Sequence, residues 1–128
     1  MSAGSVSKIE LVLSLKGKAQ TVLELKRHLA PKTVGSIVRS LPLEGNAHMI
    51  GGSIAFMDTT LTAGGEKLKT QFKKGDVGFL ASNGSICFFL DDVSQAKPMT
   101  LVGKITSNLE ILSQVKPGDI FSLAQAGT

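Results

Sequence analysis

The sequence predicts a mainly-β domain in which about eight antiparallel strands close into a barrel and two helices cap its ends. Three observations carry that prediction. Short runs, alternating or wholly apolar, recur along the chain between turn residues. Only one longer segment has helical spacing, and a second helix start stands just before the last run. Closure suits the pattern, because a ring has no edge strands and each of its two mouths needs a plug.

The first strand is Lys8 to Leu15, with Ile9, Leu11, Leu13 and Leu15 on one face and Lys8, Glu10 and Ser14 on the other. Lys16-Gly17-Lys18 turns the chain, and Ala19, Thr21, Leu23 and Leu25 continue as its hairpin partner. Solvated Lys26-Arg27-His28 ends that strand. Pro31 fits the first turn of a helix whose apolar positions are Val34, Ile37, Val38 and Leu41, and Pro42 stops it. Between Asn46 and Asp58, two apolar runs flank Gly51-Gly52 and read as two strands or as one strand with a bulge. A Thr/Gly loop over residues 59–65 leads into Glu66 to Lys74, where Lys67, Lys69, Lys73 and Lys74 suggest an exposed loop and edge strand whose charges discourage pairing.

Three strands are expected between Gly75 and Ile105. Asp76 to Leu80 is followed by Ala81-Ser82-Asn83-Gly84, in which Asn83-Gly84 suits positive φ, and this is the clearest hairpin signal in the chain. Ser85 to Leu90 is almost wholly apolar, as a strand covered on both faces would be. After a polar loop, Met99, Leu101, Gly103 and Ile105 alternate with Thr100, Val102 and Lys104, and Gly103 marks a bulge or a close backbone approach. Ser107-Asn108-Leu109-Glu110 matches a capping box for a short helix with Leu109, Leu112 and Val115 inward. Lys116-Pro117-Gly118-Asp119 turns into the last strand, Ile120 to Ala124.

With 128 residues the chain is read as one domain over residues 8–124, flanked by a flexible N-terminal tail at 1–7 and a C-terminal tail at 125–128. No apolar run approaches the ~20 residues that span a bilayer, and the start lacks the features of a secretory signal, so the expected compartment is the cytoplasm. The single cysteine, Cys87, lies between Ile86 and Phe88 and reads as an inert core thiol. A net charge of +4 permits acidic partners, yet the basic cluster has neither Tyr nor Trp for stacking and no recognition helix, which argues against nucleic acid.

A family likeness rests on three stretches in the right order. VLELKRHLAPKTVGSIVRSL, Val22 to Leu41, resembles the cyclophilin strand, loop and first helix. SICFFL, Ser85 to Leu90, resembles the cyclophilin strand with paired phenylalanines, and LVGKITSNLEIL, Leu101 to Leu112, its Phe-Gly-Lys-Val strand and second helix. The chain is still more similar to the compact cyclophilin-like domain of archaea and bacteria, a family of unknown function in which the GDVG strand of Gly75 to Gly78 and the CFF strand recur. The resemblance implies a closed antiparallel cyclophilin-like β-barrel and, for cyclophilins proper, peptidyl-prolyl isomerisation in a groove on the barrel wall.

That activity uses an arginine on the strand after the first helix, usually with a groove tryptophan and a histidine before the Gly-Lys strand. Here Arg27 and Arg39 come too early, Ala47-His48-Met49-Ile50 occupies that strand, Trp is absent, and Met99 stands at the histidine's place. Efficient isomerase activity is therefore not expected. The groove-lining residues expected from the resemblance are His48, Met49, Ala81, Phe89 and Met99. His48 is the one candidate for acid–base chemistry. Neither histidine has metal-ligand spacing, Asp91-Asp92 reads as a solvated turn, and the glycine pairs lack a phosphate-loop context, so no cofactor and no metal are assigned. Two functions follow from different classes. One is a module binding a peptide or small molecule in the groove; the other is a weak isomerase or another enzyme using His48. Self-association through the barrel surface is a third expectation.

Overall fold

In the computed structural model, which describes residues 8–94 and 97–126, the strands are β1 (Lys8–Leu15), β2 (Ala19–Lys26), β3 (Leu43–Ile50), β4 (Ile54–Asp58), β5 (Asp76–Leu80), β6 (Ser85–Phe89), β7 (Thr100–Ser107) and β8 (Ile120–Gln125). They close into a barrel in the order β1-β2-β7-β5-β6-β4-β3-β8, with every neighbouring pair antiparallel. Helix α1 (Pro31–Ser40) lies between β2 and β3, and a 3₁₀ helix (Leu109–Gln114) between β7 and β8. No helix among the described residues is long and apolar enough to cross a membrane. The expected N-terminal tail at 1–7 and residues 127–128 lie outside the described residues, and β8 includes Gln125, one residue past its expected end.

Alternation along each strand fills the barrel. Ile9, Leu11, Leu13 and Leu15 of β1, Leu23 and Leu25 of β2, Phe79 of β5, Phe88 of β6 and Phe121 of β8 are all buried in one interior cluster. Val34 and Ile37 of α1, and Leu112 and Val115 at the 3₁₀ helix, join the same cluster, so each helical segment covers part of the apolar filling. The β3–β4 segment resolves as two strands joined through Gly51, Gly52 and Ser53, with Gly51 and Gly52 at φ 57 and 76. Such angles cost a glycine nothing and any β-branched residue a great deal.

Helix α1 has no cap from its own N-cap residue, Ala30. Glu66 supplies one from the segment between β4 and β5. Its Oε1 accepts the Thr33 backbone N–H at 2.6 Å and the Thr33 hydroxyl at 2.8 Å, while the Glu66 N–H donates to Thr100 Oγ1 at 2.8 Å. The Thr33 N–H is the main reason the Glu66 carboxyl is held below its ordinary pKa, against an opposing effect of desolvation.

Four local expectations are corrected. Ser107 does not begin a capping box. It remains in β7 opposite Val22, and Asn108 enters the 3₁₀ helix at φ 58 with no side-chain cap. The segment from Glu66 to Lys74 holds no edge strand, because the closed ring exposes none; it crosses the barrel wall through the isolated bridges Lys69↔Met99 and Phe72↔Val93. In the Ala81–Gly84 turn only Gly84 takes positive φ.

The fourth concerns β7. Opposite β5, Gly103 pairs with Val77 and Leu101 with Gly78, so Val102 is an extra residue that switches the alternation. Met99 and Leu101 therefore face outward, while Val102 and Ile105 join the interior. Gly103 itself is a close approach: a Cβ there would overlap the Glu24 carbonyl oxygen of β2. Gly103→Ala is expected to destabilise the protein by about 3 kcal/mol in urea unfolding, from overpacking against backbone that cannot rotate away. Gly64→Ala is the control, since nothing lies within 4 Å of its added Cβ, and it should stay within ~0.5 kcal/mol. Equal effects at the two positions would contradict the packing explanation.

Candidate functional site

The register of β3, β4, β6, β5 and β7 places His48, Phe56, Cys87, Gly78 and Leu101 in one row across the barrel wall. Neighbours of Phe56 and Cys87 on β4 and β6 pair inward, with Ala55, Met57, Ile86 and Phe88 in the interior cluster, so this row looks outward. An outward row in a barrel normally meets water. Here it carries a second apolar cluster of Ile54, Phe72, Cys87, Phe89 and Met99, flanked by Phe56, Leu80, Val93 and Leu101. The chain segments around Phe72 and Val93 fold over part of it, and the Phe72 and Phe89 rings stack at 4.4 Å and 7°. Gly78 leaves room for this layer, since Phe89, Met99 and Phe72 all approach its missing side chain to about 3.5 Å. That explains why β6 is apolar on both faces.

Where the covering segments stop, a groove of about 360 Å³ remains. Phe56, Ile54, Cys87, Leu80 and Met99 line it with the exposed Ile50 at its rim, while Asn83, Ser85 and Lys97 supply polar groups. Cys87 is only 3 % exposed, and burial pushes its thiol up to about 12. It is a neutral hydrogen-bonding surface at neutral pH, not a nucleophile.

His48 flanks the groove. Its ring stacks on Phe56 with centroids 4.7 Å apart, and its Nε2 lies 2.7 Å from Asp58 Oδ2. Asp58 sits two residues beyond Phe56, on the same outward face of β4, so the histidine reaches diagonally across the strand pair to meet it. The pair is half-exposed, with a carboxylate orienting an imidazole whose Nδ1 has no protein partner among the described residues. That arrangement can accept or deliver a proton at Nδ1.

Of the residues expected in the groove, Met99 lines it, Phe89 lies in the buried layer beside it and His48 stands against its lining residue Phe56. Met49 and Ala81 are placed elsewhere, packed against the interior cluster. Met49 follows His48 on an alternating strand and must face the other way. The expectation missed Phe56, Ile54, Ile50, Cys87, Asn83 and Lys97. A period-two reading of β4 would have put Ile54 and Phe56 on the face of Asp58. Nothing local marks Lys97.

A larger cavity, about 560 Å³, lies by the end of α1 among Arg39, Ser36, Ser40, Glu44 and Thr60. It is shallow and polar and offers little apolar surface to reward a ligand, so the outer-wall groove is the better site. Among the described residues no group of three or more His, Cys, Asp or Glu side chains is placed to hold a metal ion. His28 is exposed in the turn before α1. Asp92 accepts the Lys74 N–H at 2.9 Å, a loop-pinning contact.

If the thiol is held neutral by burial, iodoacetamide at pH 8 should alkylate Cys87 about 10³-fold more slowly in the native protein than in denaturant. The thiolate fraction falls from about a quarter near a free-thiol pKa of 8.5 to ~10⁻⁴. A native rate within about tenfold of the unfolded rate would contradict this.

The Cyclophilin-like family model matches residues 7–123. A hypothetical protein from Archaeoglobus fulgidus superposes with a TM-score of 0.79 at 24% identity, over 94% of this chain and 96% of the other. McbB, described in complex with tryptophan, superposes with a TM-score of 0.75 at 10% identity over 92% of this chain, which spans 45% of McbB's length. At these identities both likenesses speak to fold alone. No curated protein matches the sequence.

Proposed function

Because this chain belongs to the cyclophilin-like family, we propose that it binds a small organic molecule in the outer-wall groove and does not isomerise proline peptides efficiently. The observation that carries the reading is the groove itself: about 360 Å³ of apolar space on the barrel wall, within the range of small-molecule sites. Aromatic and aliphatic lining residues with a few polar groups are what such sites use to combine affinity with orientation. The tryptophan complex of McbB adds to the small-molecule form of the reading, since it shares the fold.

The isomerase half rests on side chains. The outward positions of β3 carry His48 and Ile50, and neither arginine lies on that strand: Arg39 is in α1 and Arg27 just after β2. A donor that acts only on the transition state contributes about a hundredfold in rate. A standard proline-peptide assay should therefore give rates about a hundredfold below those of ordinary cyclophilins. Rates equal to theirs would overturn this half.

For binding, native mass spectrometry of the purified protein followed by thermal shift identifies the ligand. Ile50→Glu should then weaken it about tenfold, because a buried aliphatic contact of ~1.5 kcal/mol is lost. The substitution should leave the free protein's stability within ~0.5 kcal/mol, since the residue is at the rim. A ligand indifferent to that substitution would place binding elsewhere, and one that proves to be a proline peptide would replace the small-molecule form.

The His48–Asp58 pair favours a second reading, an enzyme acting on the groove's ligand with His48 as acid or base. Any turnover found should then fall at least about a hundredfold in His48→Ala. Unchanged turnover would remove this reading and leave the first standing.

A further inference from the structure

We propose that the groove's ligand is a small carboxylic acid: a flat apolar body lying on Phe56, with its anionic head at the Lys97 ammonium. This rests on the groove reading and narrows it to one class of compound. The groove's lining includes one charged side chain, Lys97, and no acidic residue. Cys87, the other ionisable group there, is buried and carries no charge at neutral pH. The Lys97 side chain has no hydrogen-bond or ion-pair partner among the described residues.

No carboxylate is ion-paired with Lys97 among the described residues: Asp58 meets His48, and Asp92 accepts the Lys74 N–H. A ligand in the groove therefore meets apolar surface along its body and a single positive charge. An anionic compound gains a full ion pair from that cation, a neutral one at most a single hydrogen bond to the ammonium, and a cationic one would be repelled. Beside a low-dielectric wall a charge-assisted hydrogen bond is stronger than the same contact in open water.

The test uses 3-phenylpropionate and its neutral isostere, 3-phenylpropanamide. Each is titrated into the ¹³C-methyl-labelled full chain, with the Ile54 and Met99 methyl groups as reporters in the groove. The acid should shift both reporters and bind about fivefold more tightly than the amide, the size expected for a partly exposed ion pair. Lys97→Gln should reduce the acid-to-amide affinity ratio to about one, and raising the salt concentration should narrow the gap in the wild type.

Equal affinities for acid and amide in the wild type, or an unchanged ratio in Lys97→Gln, would overturn the proposal while leaving the groove reading intact. If neither compound moved the Ile54 and Met99 reporters at millimolar concentration, the proposal would be overturned as well, while the groove reading keeps its separate test in Ile50→Glu.

Discussion

Closing eight strands into a ring forces some backbones closer than side chains allow, and the fold depends on two glycines that permit it. Gly103 pairs with Leu25 on one side and Val77 on the other, and the space for its Cβ is taken by the Glu24 carbonyl. Gly45 pairs with Phe121 of β8, and the space for its Cβ is taken by the carbonyl of Asp58 at the end of β4. Each contact lets the backbone of a neighbouring strand approach where a side chain would block it. With them in place every neighbouring strand has a partner on both sides, and no edge remains to be protected.

Closure also separates two apolar regions that a linear reading merges. The interior cluster takes alternate residues from the strands and is sealed by side chains from α1 and the 3₁₀ helix. The outer cluster takes the other alternates of β4 and β6, where crossing segments shield them from water. Loops usually lie on a surface without organising it. Here the Phe72 ring stacked on Phe89 makes a loop part of the wall, and the groove is the part of the outer cluster that the loops leave open.

Much of the architecture was legible because its signals are local. The hairpin of β1 and β2, the start of α1 at Pro31, the buried strand β6 and the close approach at Gly103 each follow from alternation, a turn residue or a missing side chain. Two of the misreadings share one cause. Val102 inserts one residue into β7 and flips Met99 and Leu101 to the outside, while Ser107 stays in that strand instead of capping a helix. Both depend on the partner strand, which no window of sequence contains. The candidate site was read less completely for the same reason. Met99 and His48 were expected there through likeness; Met99 lies in the groove lining and His48 against Phe56, and Asp58 became the partner of His48 only through the register of β3 with β4.

The sequence by itself determined the strand count, the barrel class, the burial of Cys87 and the lack of an isomerase-type arginine on β3, because alternation, turn chemistry and residue identity are properties of short stretches. Tertiary structure alone decided which way β7 turns its side chains before and after Val102, how Glu66 comes to cap α1 from across the chain, and which side chains meet around the groove. Those depend on cross-strand register, and register is set when the ring closes and a single inserted residue can reverse every side chain beyond it.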